Sequence, residues 1–528
     1  MRNTLFASLL LLTACHAENT EDLADTQQAL SPALQHGKDV WFKSTFGGEK
    51  FFTFILPHAP FNLHLGLDQA LTSPRATRFD NWGLINDPDC VQGNASSGYL
   101  DICSDPESAG VVGVRKKVYN TPAGPKVAIG VACASCHAGL DPSNPPANPN
   151  APAWENIHAT VGNQYIQIGK LFGSHLPAND PRRQVFDTWA PGTVDTTAIE
   201  SDGINNPGII TQFFNLDDRP WFDLTDHAMG ITVHRGGQGG EDDAGCEKAA
   251  LRVYFNIGMC AAECMVGHLA NGPGGTSTPI DDAECTARCP EYVQAKQDVV
   301  SECEFMASNK VPKLHSAPGG NHFVNQSLAN KGKAVFKREC ASCHSNGEDL
   351  GPHDVLSNDE INPMAAIGTN TCRARTTNWM AGRIWANFSS DQYKQRPGGG
   401  PGFYRNVPLL GIWATAPFFH NNKLGSYNGD PSVAGRIAAY EDAMDQLLNP
   451  WKRDLVGSIA RTTLPVTIMT AGGPVTLPVG TPVGAYANIN PRTGQNMCPD
   501  YLENQGHYFG MLLSDKDKKA LTEYLKTK

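Results

Sequence analysis

Two copies of one short motif carry the clearest chemistry in this sequence. Residues 133–137 read Cys-Ala-Ser-Cys-His, and residues 340–344 repeat the same five residues. Two thiols three positions apart can add to the two vinyl groups on one edge of a porphyrin, and the histidine that follows then reaches the iron. We therefore expect two covalently bound c-type haems. Their attachment residues are Cys133, Cys136, Cys340 and Cys343, and their proximal iron ligands are His137 and His344.

Two other uses of a Cys-x-x-Cys pair explain less of the pattern. A redox dithiol accounts for the two cysteines of each motif but not for the histidine that follows them. A structural zinc site needs four ligands, so a second Cys-x-x-Cys or a histidine pair would have to lie nearby. Two near-identical copies favour haem over both alternatives.

The start of the chain is typical of an export signal. Arg2 precedes the apolar stretch Leu5 to Leu12, and Leu12-Thr-Ala-Cys15 follows. This segment resembles a bacterial lipoprotein signal, which implies cleavage after residue 14, acyl chains on Cys15 and a solvated tether over residues 15–36. An ordinary signal peptide is the alternative. Both predict export to a compartment where disulfides persist. The lipoprotein signal predicts the bacterial cell envelope, with the protein lipid-anchored and facing the periplasm or the cell exterior.

The remaining cysteines predict a disulfide framework. Of 15 cysteines, the two motifs use four and the lipid signal uses Cys15, which leaves an even ten. Six of them lie in mirrored positions about the Gly-rich stretch 271–275, where the chain should reverse. Steps of four and fourteen residues return to one helix face. We expect antiparallel helices over 246–268 and 283–305, bridged by Cys246–Cys303, Cys260–Cys289 and Cys264–Cys285.

Two points limit this interpretation of the hairpin. Three unrelated bridges would use the same cysteines, and Pro290 would either kink a helix interior or occupy a first turn. The four cysteines outside the hairpin are expected to pair as Cys90–Cys103 and Cys372–Cys498.

Composition sets the size class and excludes some partners. The chain has 528 residues, of which 40% are hydrophobic and 18% are charged, values typical of a folded protein with more than one domain. A net charge of −11, with no run of five basic residues, predicts no nucleic-acid partner. Beyond the first dozen residues no apolar run approaches the ~18–20 residues that a membrane span needs. The predicted contact with a membrane is the lipid anchor.

Local patterns predict a mainly α fold with two cytochrome-c-like haem domains, long loops and the disulfide-stapled hairpin as an insertion. Helices are expected around Trp41, over 154–176, over Leu328–Arg338 before the second motif, and after an N-cap at Ser514. The Pro-rich residues 141–153 should form a loop, and Thr462 to Val483 is strand-like. The predicted units are residues 1–14, 15–36, 37–245, 246–308 and 325–528.

A resemblance extends this prediction. After the second motif come Tyr404-Arg-Asn-Val-Pro408 and Trp413-Ala-Thr-Ala-Pro-Phe-Phe-His420-Asn-Asn. Together with the two haem motifs about 200 residues apart, they resemble the bacterial di-haem cytochrome c peroxidase superfamily, and within it the rubber-oxygenase-like branch. The resemblance covers 325–528 well and 37–245 loosely. Asn422 stands where relatives usually have glycine.

The resemblance also implies a distal ligand for the second haem, His420. Its rivals are methionine thioethers, at Met364, Met380, Met444, Met469, Met497 and Met511. For the first haem no distal ligand is evident, because no motif favours any histidine in range. These histidines are His158, His175, His227 and His234.

Other residues have candidate supporting roles. Trp221 is either an aromatic bridge between the haems or a core residue. Arg373, Arg375 and Arg405 either pair with haem propionates or lie on the surface.

Two functional classes follow. An open iron coupled to a six-coordinate haem predicts an enzyme, which would reduce peroxide with electrons from a small redox donor or insert dioxygen into a hydrophobic substrate. The alternative is a non-catalytic di-haem electron carrier with both irons six-coordinate. The length of the chain and the missing distal ligand of the first haem favour a haem-dependent oxidoreductase.

Overall fold

The computed structural model describes residues 30–59, 61–193, 245–269, 278–344, 361–375, 384–388, 403–405, 409–489, 496 and 498–528. Within these ranges the chain is mainly helical, and the strands form two-stranded antiparallel pairs. The mainly α class predicted from the sequence is confirmed for this part of the chain.

The helices divide into a set before residue 310 and a set after it. The first set is α1 (Pro32–Lys43), α2 (Gly48–Lys50), α3 (Leu67–Leu71), α4 (Arg78–Trp82), α5 (Ala134–His137), α6 (Ile168–Gly173), α7 (Pro181–Phe186), α8 (Gly245–Asn256), α9 (Val266–Leu269), α10 (Asp282–Arg288) and α11 (Pro290–Ser308). The second set is α12 (Gln326–Glu339), α13 (Ala341–His344), α14 (Met364–Ile367), α15 (Val433–Leu448), α16 (Gly484–Ala487) and α17 (Asp515–Leu525).

The strands pair with their neighbours in sequence. The pairs are β1 (Cys90–Val91) with β2 (Ile102–Cys103), β3 (Val114–Thr121) with β4 (Gly124–Val131), β5 (Gly139–Leu140) with β6 (Ile157–His158), β7 (Ile361–Pro363) with β8 (Phe403–Arg405), and β9 (Val466–Thr470) with β10 (Gly473–Leu477). The β9–β10 hairpin confirms the strand-like character predicted for 462–483. Residues 141–153 form turns and bends, as their prolines predict.

Side-chain caps set the starts of the helices that carry the sites. The Ser31 hydroxyl accepts the Leu34 N–H at 3.2 Å before α1, and the Asn325 side chain accepts the Leu328 N–H at 3.1 Å before α12. The Ser514 hydroxyl accepts the Asp517 N–H at 3.2 Å before α17. The predicted helices around Trp41, over Leu328–Arg338 and after Ser514 are confirmed.

Two helix crossings with the same local geometry organise the molecule. α1 packs along α11, and α12 packs along α17. In the first crossing a Cβ on Gly37 would lie 1.9 Å from the Ser301 carbonyl oxygen and 2.9 Å from the Phe305 Cβ. In the second, a Cβ on Gly332 would lie 1.9 Å from the Ala520 carbonyl oxygen and 2.7 Å from the Tyr524 Cβ. Each crossing therefore requires glycine, because any side chain would force the helices apart.

The prediction of two continuous helices in the Cys-rich segment is wrong. Between α8 and α9, Cys260 has a left-handed φ of 54° and a π-helical turn, Ala261–Met265, follows it. Between α10 and α11, Cys289 is extended and Pro290 opens α11. Proline lacks the N–H that a helix interior needs, so it occupies a first turn instead.

The disulfides confirm most of the predicted pairing. Cys260–Cys289 and Cys264–Cys285 form with Cα separations of 5.7 and 5.5 Å, closer than the ~8–10 Å between packed helix axes. The breaks at Cys260 and Cys289 allow this approach. The bridges Cys90–Cys103 and Cys372–Cys498 are also present. Cys303 is disulfide-bonded. The Cys246 side chain and the reversal at 271–275 lie outside the described residues, so the bridge Cys246–Cys303 stays a prediction.

The Cys-rich segment forms part of the core around the first motif. Trp41 of α1, Cys133 of the motif, Tyr254 of α8 and Val299 of α11 belong to one buried cluster. A second buried cluster joins α12, α15 and α17, with Phe336, Tyr440 and Leu521 among its members. The second helix of the predicted insertion, α11, thus packs against α1 and forms part of the core around the first motif.

The helix predicted over 154–176 is wrong for most of its length. Ile157–His158 pairs with Gly139–Leu140 as β6, and helix returns only at α6. The cause is the intervening loop, in which Gly162 has a φ of 78° and its N–H donates to the His137 carbonyl at 2.7 Å. Asn163 N–H donates to the Cys136 carbonyl at the same distance. This backbone supports the first motif instead of continuing a helix.

Candidate functional site

The first motif forms a single turn directly after β4. The His137 N–H donates to the Cys133 carbonyl at 3.0 Å, and the N–H groups of Gly162 and Asn163 donate to the His137 and Cys136 carbonyls. Cys133 is buried and Cys136 is half-buried. The backbone is therefore held from two directions, and this orients both thiols and the imidazole.

The structure separates the cysteines into the two predicted classes. The motif cysteines Cys133, Cys136, Cys340 and Cys343 remain thiols. Every other cysteine whose side chain is described is disulfide-bonded, namely Cys90, Cys103, Cys260, Cys264, Cys285, Cys289, Cys303, Cys372 and Cys498. In a chain that otherwise oxidises its cysteines, the motif thiols stay available for another bond.

His137 is a buried, neutral imidazole. Its Nδ1 atom is buried and has no hydrogen-bond partner among the described residues. Burial lowers the pKa of His137 to about 4, so the ring keeps a lone pair at neutral pH. The Trp41 indole lies with its centroid 5.8 Å from that of His137, and its N–H donates to the Ala159 carbonyl at 2.8 Å. These features suit an iron ligand in a dry site.

A buried carboxyl group lies beside the first motif, and the sequence analysis missed it. Glu302 of α11 is 0% exposed, and its Oε2 accepts a hydrogen bond from the Tyr254 hydroxyl of α8. The Oε1 atom of Glu302 has no hydrogen-bond partner. Burial raises the pKa of Glu302 to about 7, and Cys133 lies close enough to affect it. Glu302 gives no sequence signal, because acidic residues in helices are usually exposed.

The second motif follows α12 without a break. The His344 N–H donates to the Cys340 carbonyl at 2.9 Å, so the motif again forms one turn. The imidazole of His507 lies opposite, with ring centroids 6.1 Å apart and ring planes at 43°. His507 is a second histidine at this motif that the sequence analysis did not identify.

His507 sits on a loop built from backbone contacts. Gly506 and Gly510 on either side have φ values of 82° and 78°, and His507 itself has a φ of 49°. Its N–H donates to the Ile367 carbonyl at 2.8 Å, whereas its ring Nδ1 is buried without a partner. Burial, together with the nearby His344, lowers the pKa of His507 to about 4. A glycine-flanked histidine just before α17 was the available signal in the sequence.

Arg453 holds this loop in place. Its guanidinium donates to the carbonyls of Gly506 at 2.7 Å and Asn504 at 3.1 Å. It also packs over the rings of Phe419, at 5.6 Å, and Tyr508, at 5.3 Å. Burial lowers the pKa of Arg453. The arginine thus connects the His507 loop to the segment that ends in His420.

His420, the predicted distal ligand, has a different neighbour. Its Nε2 lies 3.1 Å from the Tyr404 hydroxyl, and the two rings have centroids 4.6 Å apart. Burial, together with the nearby Arg373, lowers the pKa of His420 to about 3. This contact engages one of the two ring nitrogens through which His420 could bind a metal. The role of His420 as an iron ligand therefore stays a prediction, and His507 is the better-placed candidate.

The predicted propionate partners are described in part. Arg373 and His420 line a cavity of about 70 Å3 between the segment 185–193 and the second half of the chain. Arg375 has a buried Nε without a hydrogen-bond partner, which suits an anionic group. Arg405 lies in β8, and its side chain is outside the described residues.

A buried junction links the loop of the first motif to the second half. Gln164 donates to the Ala414 carbonyl at 2.7 Å and accepts from the Arg436 guanidinium at 2.9 Å. Arg436, 1% exposed, also donates to the Ala416 carbonyl at 2.8 Å and packs over the Tyr165 ring at 5.5 Å. The loop that hydrogen-bonds to Cys136 and His137 is therefore also hydrogen-bonded, through Gln164, to the segment before His420.

The other candidates of the sequence analysis have ordinary contacts or lie outside the described residues. His158 lies 3.0 Å from the Lys310 carbonyl and His175 lies 2.9 Å from Asp68. Met444 is a core residue, whereas Met469 and Met511 are exposed. The side chains outside the described residues are those of Trp221, His227, His234, Met364, Met380 and Met497.

Comparisons and searches of the described residues add limits. No described helix is long and apolar enough to span a bilayer. Across the described ranges, no group of three or more His, Cys, Asp or Glu side chains could hold a metal ion, so a zinc site gains no ligand set there. Neither a protein-family model nor a curated protein matches this chain.

Proposed function

We propose that this chain is a di-haem c-type cytochrome that works as a haem-dependent oxidoreductase, with an electron-transfer haem at the second motif and a reactive haem at the first. The observation that carries the proposal is an asymmetry between the two motif histidines. His344 faces the imidazole of His507, whereas among the described residues the ring beside His137 is the indole of Trp41.

The second motif suits a group held by two imidazoles. A metal–imidazole nitrogen bond is about 2 Å long, so two imidazoles on opposite sides of one metal have centroids roughly 6 Å apart. The His344 and His507 centroids are 6.1 Å apart. Two neutral nitrogen ligands favour a low-spin, six-coordinate iron that passes electrons. The orphaned Nδ1 of His507 and the orphaned Nε of Arg375 are further groups that such a cofactor could engage.

Among the described residues, the first motif offers one protein ligand for the iron of such a group. His137 would supply the imidazole, and Cys133 and Cys136 would supply the two thioethers. When bound, haem supplies a one-electron iron couple and, where the sixth position is open, a site for peroxide or dioxygen. The chain's own residues keep this site dry, because Trp41, Cys133 and Tyr254 share one buried cluster.

The junction supports exchange between the two sites. Gln164 and Arg436 hold the loop behind the first motif against the segment before His420. Because both side chains are buried and hydrogen-bonded, the two sites are held at a fixed separation. Fixed separation is what multi-electron chemistry at one iron needs when a second iron delivers electrons.

We also propose that the protein is exported and lipid-anchored through Cys15. The disulfides of the described chain support an oxidising compartment. Replacing Cys15 by Ser should move the protein from the membrane fraction to the soluble fraction. If the variant stays with the membrane, the anchor is elsewhere.

Mass spectrometry and magnetic spectroscopy test the proposed function together. Intact mass should show two haem additions, and a denaturing gel should stain for haem. Paramagnetic resonance of the oxidised protein should then show one low-spin and one high-spin ferric signal. A single haem addition refutes the di-haem assignment, whereas two low-spin signals refute the enzyme and leave the electron carrier.

A further inference from the structure

The two helix crossings can be aligned residue by residue. Gly37 meets Ser301 and Phe305 in the first crossing as Gly332 meets Ala520 and Tyr524 in the second. The residue that follows the contacted carbonyl is Glu302 in α11 and Leu521 in α17.

Both aligned positions are buried, since Glu302 is 0% exposed and Leu521 is 2% exposed. The crossing itself therefore accepts a leucine at this position. The packing of the two helices therefore does not require a carboxyl group at this position.

The carboxyl group of Glu302 is costly where it lies. Its Oε1 has no hydrogen-bond partner, and among the described residues no Lys or Arg pairs with it. Burying an uncompensated carboxylate costs several kcal/mol, so such groups either take up a proton or serve a function. The Cys133 thiol also interacts with this carboxyl group and lowers its pKa, and attachment of Cys133 through a thioether would remove the thiol hydrogen and with it that interaction.

Several titratable groups surround Glu302. From α8 the Tyr254 hydroxyl donates to Oε2, and from the first motif Cys133 lies beside it. From its own helix Asp298 raises its pKa, and Asp298 lies 2.9 Å from His36 of α1. Glu302 is the member of this set with a fully buried carboxyl group and an unused oxygen.

We propose that Glu302 is a redox-linked proton acceptor for the first haem site, an inference that rests on the proposed function. Glu302 binds one proton from solvent when the iron at this site gains one electron from an external one-electron donor. It releases that proton when the electron leaves. The iron changes from ferric to ferrous, one O–H bond forms on the carboxylate, and the added charge is zero.

The physical reason is charge balance in a site of low dielectric constant. An ionised Glu302 stabilises the ferric state, and an added electron makes a second negative charge beside it unfavourable. Burial already raises the pKa of Glu302 to about 7, so both protonation states are populated near neutral pH. The Tyr254 hydrogen bond opposes this shift, and it keeps the carboxylate form accessible.

The test is a spectroelectrochemical titration of the full-length di-haem protein from pH 5.5 to pH 8.5. In the wild type, the reduction potential of the first haem should fall as pH rises. The limit is a tenfold change in the reduction equilibrium per pH unit, which is 59 mV for one electron. Glu302→Gln should flatten this dependence for the first haem and leave the second haem unchanged.

Matched variants sharpen the result. Glu291→Gln makes the same chemical change on α11 at a partly exposed ion pair with Lys50, and it should keep the wild-type slope. Glu302→Asp should restore part of the slope. The Tyr254 hydrogen bond lowers the pKa of Glu302, so Tyr254→Phe should raise this pKa and move the pH range of the slope to higher pH. Should Glu302→Gln fold poorly, Glu302→Leu copies the residue that the second crossing uses, and it should flatten the slope equally.

Two outcomes overturn the proposal, and they are distinguishable from failure of the function. If the potential of the first haem keeps its wild-type pH dependence in both Glu302→Gln and Glu302→Leu, the proton binds to another group. The same follows if this pH dependence is lost only in His36→Gln. Intact mass of the same samples reports the haems separately. Two haem additions with an unchanged slope refute the role of Glu302 alone, whereas absent haem refutes both proposals.

Discussion

The α1–α11 crossing and the α12–α17 crossing use the same contacts for different ends. Each places a glycine against a backbone carbonyl and an aromatic residue one turn later. In the first crossing the next residue is the buried carboxyl group of Glu302, and in the second it is the buried Leu521. One helix-packing solution thus carries two chemical environments, and a single side chain makes the difference.

The segments that precede α17 and α11 also give the two motifs different chemical surroundings. Before α17, the chain presents His507 to the second motif, and Arg453 holds its backbone. Before α11, the chain has the disulfide Cys260–Cys289 and no side-chain cap. The second half therefore offers its motif a second imidazole, whereas the first half offers a carboxyl group and covalent reinforcement.

The largest effect is expected at His507. If the proposed second haem is present, His507→Ala should convert its low-spin signal to a high-spin one, because His344 would lose its partner ring. His420→Ala should keep the low-spin signal, since His420 engages Tyr404. Paramagnetic resonance of both variants checks this pair. The reverse pattern, with His420 essential and His507 silent, restores the ligand that the family resemblance implies.

Much of the disulfide framework and the start of α17 could be predicted because their sequence signals are local. The mirrored cysteines and the cap at Ser514 each lie within a short segment. The two Cys-x-x-Cys-His motifs are equally local, and the haem attachment inferred from them stays a prediction. The breaks at Cys260 and Cys289 were not predicted, because a four-residue step satisfies helix periodicity whether or not the helix continues.

The contacts that define the two sites could not be predicted, because they join distant parts of the chain. Nothing in the neighbourhood of Gly37 indicates Ser301, and nothing near His344 indicates His507. The tertiary fold brings these residues together. Sequence periodicity also treats Glu302 as a surface residue, and only the packing of α1 and α8 on α11 makes it buried.

Because the two crossings have the same close contact, replacing the glycine of either one by alanine should cause a similar loss of stability. Gly332→Ala should destabilise the second half by about 3 kcal/mol or more, because its Cβ would lie 1.9 Å from the Ala520 carbonyl oxygen. Gly37→Ala should do the same to the first half. Calorimetric unfolding measures both, and Gly267→Ala, where a Cβ would meet nothing within 4 Å, should change little. An unchanged Gly332→Ala protein contradicts the close helix contact.

The carboxyl group predicts a pH dependence that the second half lacks. Burial raises the pKa of Glu302 from 4.5 to about 7, so the folded protein loses stability as pH rises from 4.5 to about 7. At ~1.4 kcal/mol per unit the full loss is roughly 3 kcal/mol. The gain in stability of Glu302→Leu over wild type should therefore be smallest below pH 4.5, grow as pH rises to about 7, and persist in full above it. Denaturant titrations at pH 4 and pH 8 measure this gain, and an equal gain at both contradicts the pKa shift.

The disulfides predict a smaller difference between the halves. Cys372–Cys498 spans 126 residues and Cys90–Cys103 spans 13. The chain-entropy account makes the longer bridge worth about 2 kcal/mol more. Replacing Cys372 and Cys498 together by Ser should therefore lower stability more than replacing Cys90 and Cys103, as measured by denaturant unfolding. Equal losses indicate that the unfolded chain keeps structure across the longer loop.

The smallest expected effect concerns how α17 and α11 begin. The Ser514 hydroxyl satisfies the Asp517 N–H at 3.2 Å, whereas Cys289 gives α11 no side-chain acceptor and Pro290 removes one N–H that would need one. Ser514→Ala should cost about 1 kcal/mol, and Ser514→Asp should restore it, because a carboxylate accepts the same bond and favours a helix N-terminus. Hydrogen exchange of the first amides of α17 measures the loss locally. If Ser514→Ala leaves these amides protected, packing of α17 on α12 fixes the helix start without help from its cap.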